Sequence, residues 1–262
     1  MWNEGVGTGT VLVLRASAAS MTAKIAGGNV AAGSVGVTVD WGDGTKNVYS
    51  SFRNVSHTYL RAKDFTVKIS DDLTSFGYTA ASVPGEAQRD MLVELKSVGS
   101  HVVTIEGYAF NNCHKMRGVI NLPSVTSING YAFGSTQGIT DFILPSMTRL
   151  VQTSFYWGPT ATAMYCDNVT QIDREFWGYY GGRLVDMYIR NKTCQQIKSM
   201  SGFPFKAGAA VRFHGSDGIV TGDGRIALGE DQGDAGKRAT ESWWRARSST
   251  PPHRWIRKTA SS

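Results

Sequence analysis

Apolar and polar residues alternate in short runs over the first third of the chain: Thr10–Arg15, Ser20–Ile25, Val35–Trp41, Val55–Tyr59 and Phe65–Ser70. A period of two turns one side of a strand inward and leaves the other wet, so Val37, Val39 and Trp41 are expected on one face. Gly27-Gly28, Gly33, Gly42-Asp43-Gly44 and Asp71-Asp72 separate the runs. Short strands roughly ten residues apart, with turn residues between them, predict a β-sandwich. Gly42-Asp43-Gly44-Thr45 carries the residues that a tight turn with positive φ needs.

Beyond residue 90 the pattern changes from alternation to repetition. Leu122-Pro123-Ser124-Val125-Thr126-Ser127-Ile128 returns 22 residues later as Leu144-Pro145-Ser146-Met147-Thr148-Arg149-Leu150. It returns again, 22 residues on, as Cys166-Asp167-Asn168-Val169-Thr170-Gln171-Ile172. The closing apolar positions form a ladder, Ile105, Ile128, Leu150, Ile172 and Ile197, and each is followed by an aromatic: Phe110, Phe133, Phe155, Phe176 and Phe203. Gly-Tyr-Ala-Phe occurs verbatim at 107–110 and 130–133. A unit this short cannot bury its own apolar residues, so the copies must stack. Each coil is expected to supply a short strand carrying Val119-Ile120, Phe142-Ile143, Met164-Tyr165 or Met187-Tyr188, with its Phe filling the interior from the returning side. Val211–His214 and the Gly-rich stretch through Ile226 predict a closing hairpin, because an open solenoid end exposes apolar surface and strand edges.

Charge adds a third region. The 262 residues hold 27 Lys+Arg against 21 Asp+Glu, a net +6 and a pI near 9.2. Residues 237–262 contain seven of the basic residues and one acid, so the preceding 236 are neutral and the end of the chain holds the whole excess. A basic folded face for nucleic acid is thereby disfavoured. The last segment interleaves Trp243, Trp244, Arg245, Arg247, Trp255 and Arg257. Such a segment suits a protein partner, an anionic membrane or single-stranded nucleic acid, or it is an unstructured terminus. The three cysteines have no C-x-x-C spacing, which points away from a disulfide framework or a zinc ribbon. The start of the chain lacks a basic segment, and Val11–Leu14 is too short for a signal core or a membrane span, so neither export signal nor anchor is expected.

Two resemblances organise these features. Asp40-Trp41-Gly42-Asp43-Gly44-Thr45, Ser56-His57-Thr58-Tyr59 and Phe65-Thr66-Val67-Lys68-Ile69, in that order, resemble the signature of a PKD-type domain. That resemblance implies an immunoglobulin-like sandwich used as a spacer or adhesion module. The repeats resemble the BspA-type leucine-rich repeat, Leu-Pro-x-x-x-x-x-Ile-x-x-x-Ala-Phe-x-x-Cys, with Cys113 at the family's Cys position and Thr136 one repeat later. This implies a curved solenoid for binding, as in bacterial surface proteins, adhesins and phage-encoded proteins, and a buried structural thiol at Cys113. The expected fold is mainly β: an immunoglobulin-like β-sandwich over 1–84, a leucine-rich-repeat solenoid with a C-terminal cap over 85–228, and a basic Trp-containing tail over 229–262.

Catalytic signatures are sparse. The chain has no Gly-x-Ser-x-Gly elbow, no His-Glu-x-x-His and no phosphate loop. Asp40 and Asp43 lack the spacing of a calcium loop and are expected to bond turn amides; His57 is expected to pack in the sandwich. No catalytic residue, metal or cofactor is assigned. The expected function is non-enzymatic recognition of a protein or glycan on a cell surface, in a bacterial surface protein or a phage virion, where homo-oligomers and other virion subunits would be partners. A purely structural virion part and a glycan-active enzyme are the alternatives, since the carboxylate pairs of glycosidases leave no short motif. The candidate binding residues are Tyr156, Trp157, Trp177, Tyr179 and Tyr180, because exposed Trp and Tyr anchor partners. Asn121, Arg190 and Lys192, on the strand side, rank second.

Overall fold

The N-terminal runs do form strands. The computed structural model describes residues 9–78, 85–151, 153–155, 160–173, 176–177, 184–203 and 211–228. Its first strands are β1 (Thr10–Ala16), β2 (Met21–Gly27), β3 (Val37–Asp40), β4 (Lys46–Tyr49), β5 (Arg53–Tyr59) and β6 (Lys63–Ile69). β1 lies antiparallel to β6, with Leu12 opposite Val67 and Leu14 opposite Phe65. β6 continues to β3 and β3 to β4, whereas β2 pairs separately with β5. The inward residues of both sets, among them Leu12, Val39 and Val67 against Ile25, Val55 and Tyr59, share one core. β4 escapes the sequence pattern because it is an exposed edge strand and needs no apolar face. In the turn before it, Gly42 sits at φ 79°, and a Cβ there would lie 2.5 Å from the Thr66 carbonyl oxygen. Only glycine fits that approach.

β7 (Ser75–Phe76), the short helix α1 (Glu86–Arg89) and β8 (Leu92–Ser97) lead into the repeats. β8 completes the first sheet as the neighbour of β1, giving the order β4-β3-β6-β1-β8. β7 pairs instead with the repeat strand β9 (Thr104–Ile105), Ser75 opposite Thr104 and Phe76 opposite Ile105. One strand from each side of the boundary expected at residues 84/85 thus joins the sheet of the other. Each exchange gives a hydrogen-bonded neighbour to a sheet edge that would otherwise stand open. Arg117 N also donates to Val93 O at 3.1 Å, so β8 is both the last strand of the N-terminal sheet and the first rung of the solenoid.

The coils follow as β10 (Gly118–Asn121), β11 (Ser127–Ile128), β12 (Ile139–Ile143), β13 (Arg149–Leu150), β14 (Ala163–Tyr165), β15 (Gln171–Ile172) and β16 (Asp186–Tyr188). β10, β12, β14 and β16 stack in parallel as one sheet, and the two-residue strands form short ladders on the returning side. In the next coil α2 (Cys194–Lys198) replaces the short strand. Its start is a capping box, in which Gln196 N donates to Thr193 Oγ1 and Thr193 N donates to Gln196 Oε1. β17 (Arg212–His214) adds in parallel to β16, β18 (Gly218–Thr221) turns back antiparallel to it, and β19 (Ile226–Leu228) follows.

Repetition builds buried columns. Ile120, Phe142, Met164, Met187 and Phe213 point inward from successive strands, and the ladder Ile105, Ile128, Leu150, Ile172 and Ile197 closes the opposite side. Between them Phe110, Phe133 and Phe155 stack at centroid distances of 5.0 and 5.9 Å. The next ring of the column is Trp177, 5.2 Å from Phe155 and edge-on to Phe142. Trp177 is 2% exposed. Expected among the surface aromatics, it is a core residue instead. The reason is arithmetic: Trp177 stands one 22-residue repeat after Phe155, whereas Phe176 stands one residue short and packs beside the column.

Candidate functional site

Residues that flank the inward column on the parallel sheet must point outward. They form two rows across neighbouring strands. The first runs Asn121, Ile143, Tyr165, Tyr188, His214, and the second runs Val119, Asp141, Ala163, Asp186, Arg212. In the first row the rings stack face to face: Tyr165 on Tyr188 at 4.6 Å and 5°, Tyr188 on His214 at 4.4 Å and 17°. Parallel in-register pairing puts the same position of successive coils one strand spacing apart, close to the stacking distance of aromatic rings. All three side chains are half-buried, with their edges toward solvent.

Ion pairs hold this ladder on both sides. Asp186 accepts from Arg212 Nε at 2.8 Å and Nη2 at 2.7 Å, and its Oδ1 lies 2.6 Å from His214 Nε2. Partial burial works against ionising Asp186, but the bonds and charges of Arg212 and His214 outweigh it and hold the carboxyl below its ordinary value. On the other flank Asp167 takes two hydrogen bonds from the Arg190 guanidinium and one from the Arg190 backbone N–H. The Asp167 bond, with burial opposing it, raises the Arg190 pKa. Burial pushes the Tyr165 and Tyr188 phenols up, so both are neutral donor–acceptor groups at physiological pH.

Residues 92–201 match the BspA type leucine rich repeat region, in six copies.

BspA type repeats mark an interaction or adhesion module of the kind found in surface proteins, and the family is a binding module rather than an enzyme family. The matched span begins at β8, so the strand that completes the N-terminal sheet is itself the first repeat strand. No curated protein and no solved structure matches the chain. Among the described residues no helix is long and apolar enough to cross a membrane.

The structure distributes the expected site residues unevenly. Trp177 lies in the core. Tyr156, Trp157, Tyr179 and Tyr180 lie outside the described residues, as do Trp243, Trp244, Arg245, Arg247, Trp255 and Arg257 of the tail. Of the strand-side group, Asn121 opens the outer row and Arg190 braces the ladder, while Lys192 lines a shallow groove beside α2 with Thr170 and Gln196. Tyr165, Tyr188 and His214 lie outside the expected site residues. The sequence marks them only by their place directly after an inward residue, Met164, Met187 or Phe213, in a three-residue strand. On the turn side Tyr108 and Tyr131, the Tyr of the verbatim Gly-Tyr-Ala-Phe, also stack, at 5.0 Å and 3°, and both hold φ 60°.

Other reactive groups are buried or engaged with neighbours within the fold. Asp40 and Asp43 accept from the turn amides of Gly42 and Thr45, each at 3.0 Å. His57 stacks on Trp41 at 4.9 Å and holds Asp43 at 2.7 Å. Cys113 and Cys166 are fully buried, and burial pushes both thiols up. Burial and Asp217 push Cys194 up to about 11. Thr136, in the position of Cys113 one coil later, is equally buried and donates to Phe133 O at 2.9 Å. Glu86, Asp90 and His114 bring ligand-type atoms within 4.8 Å of one another. Nδ1 of His114 stands 3.7 and 3.6 Å from the two carboxylates, so the group brings α1 and the loop after Phe110 together.

Proposed function

We propose that this chain is a non-enzymatic recognition protein whose solenoid binds a cell-surface protein or glycan through the outer face of its parallel sheet. The observation that carries the reading is the Tyr165–Tyr188–His214 stack: three aromatic side chains held in register on an outward face, braced on both flanks, and absent from the buried columns that hold the fold together. Rigid aromatics with polar tips are efficient contact residues, because little rotamer entropy is lost when a partner arrives. The BspA type repeats support the same class of function.

We read the N-terminal sheets as a PKD-like, immunoglobulin-like sandwich that presents the solenoid. Its motif residues meet in space, which supports this reading. Trp41 is buried, His57 stacks on it, and Tyr59 donates from its hydroxyl to the Trp41 carbonyl at 3.1 Å. The test of function is the double variant Tyr165→Ala/Tyr188→Ala against wild type, on a glycan array and on a displayed random-peptide library. Binding by the wild type that the variant loses, with thermal unfolding still cooperative, supports the reading. Binding that survives the variant removes this face as the contact surface.

A further inference from the structure

Resting on that reading, the outer face also carries information about what it takes. Tyr188 has Tyr165 against one ring face and His214 against the other. Ring faces are where a sugar ring or a cation stacks, and here both faces of Tyr188 and one face each of Tyr165 and His214 are already used by neighbouring rings. The stack offers partners a line of ring edges and phenol hydroxyls instead.

The adjacent row is charged but nearly self-neutralised. Asp186 is paired with Arg212 and His214, and Asp167, past the other flank, with Arg190. Asp141, on β12, enters no ion pair among the described residues. Register places Ala163 directly between Asp141 and Asp186. Two carboxylates therefore flank a methyl group across two strand spacings, about 9.5 Å. Tyr165 stands two residues along the same strand, about 6.5 Å from Ala163. Both Asp141 and Asp186 act on the Tyr165 and Tyr188 phenols through space, so the four groups share one neighbourhood. The result is a notch with an apolar floor, the uncompensated Asp141 on one side, Asp186 with its Arg212 and His214 partners on the other, and phenols at one end.

We infer that the occupant is a protein segment that seats a Lys or Arg side chain in the Asp141–Ala163–Asp186 notch and lays an adjacent aromatic or aliphatic side chain along the edges of Tyr165 and Tyr188. A long basic side chain matches the notch: its methylene stem covers Ala163, and its head meets the Asp141 carboxylate and the phenol oxygens. A neutral glycan can donate hydroxyls to Asp141 but leaves its charge uncompensated, and an anionic partner would be repelled by it.

The experiment pans a displayed random-peptide library on the full chain, probes a glycan array in parallel, and measures synthetic versions of the enriched peptides by titration. The expected result is a shared Lys or Arg beside an aromatic or aliphatic residue. Affinity should fall at least about tenfold for Asp141→Asn, which keeps the shape and removes the charge, with the thermal midpoint unchanged. It should fall similarly when the basic residue of the peptide is replaced by norleucine, and it should weaken with added salt. Enriched peptides without a basic residue, an Asp141→Asn variant that binds normally, or a library that yields no binder each overturn the inference. Glycan binding that Tyr165→Ala/Tyr188→Ala abolishes also overturns it, yet leaves the recognition role of the face standing. Binding of either kind that ignores the double Tyr variant sinks both.

Discussion

The column Phe110–Phe133–Phe155–Trp177 and the column Tyr165–Tyr188–His214 are each built from one ring per coil, spaced at 5.0–5.9 Å in one and 4.4–4.6 Å in the other. The first is fully enclosed, and the second keeps its ring edges in water. Stacking alone therefore says nothing about role. In a solenoid every position of the repeat generates a column, and the direction of the side chain decides whether the column holds the fold together or faces a partner.

The sharpest way to separate the two columns is to remove one ring from each. Phe133→Ala should cost about 3–5 kcal/mol, because it opens a cavity between two stacked neighbours and a strand-side Phe that cannot collapse into it. Against a typical domain stability of about 5–15 kcal/mol this is a large loss, readable as a fall in the denaturant midpoint. Trp177→Ala should fall in the same range. A cost near zero would return Trp177 to the surface and break the comparison. For the same reason, a binding test that replaces Trp177 would confuse unfolding with a lost contact.

On the outer column, Tyr165→Ala/Tyr188→Ala should cost only about 1–2 kcal/mol, the value of an aromatic pair plus partial burial. The effect on binding should be far larger than the effect on the denaturant midpoint. Equal losses in both would mean that the outer stack is simply more core.

A smaller effect is expected from acid. Asp186 has a folded-state pKa below its ordinary value, so its contribution is fully present above the ordinary carboxylate pKa of about 3.9 and is lost as pH falls through the lowered value. Urea midpoints measured at pH 7, 4 and 2.5 should converge for wild type and Asp186→Asn as pH falls. A constant gap between them would show that Asp186 contributes nothing through its charge. The smallest change concerns the thiols: Cys113→Thr should be nearly neutral, because Thr136 already occupies the equivalent site with its hydroxyl bonded to Phe133 O. A fall comparable to that of Phe133→Ala would contradict the equivalence.

Legibility followed the length of each pattern. The ladder from Ile105 to Ile197 could be read directly because its members recur at nearly constant intervals, and all five are buried. The outer Tyr residues could not be read as easily. β14 and β16 are three residues long, too short to display alternation, and Met164-Tyr165 looks as apolar as a core pair. His214 was hidden further, since it follows Tyr188 by 26 residues and Tyr188 follows Tyr165 by 23. The strand exchange of β7 and β8 leaves no local mark at all, because it depends on which sheet edges are vacant once both parts have folded.

Sequence alone determined that the chain begins with short alternating strands, that stacked coils of about 22 residues follow, and that residues 1–236 are neutral in net charge. Those properties are local or periodic, and hydrophobic burial enforces them wherever the pattern occurs. Tertiary structure decided which of two adjacent aromatics entered the core column, which outward residues met as a stack, and which carboxylate on that face has no cation partner among the described residues. Each of these depends on register between coils, and register is set by the pairing of strands more than twenty residues apart.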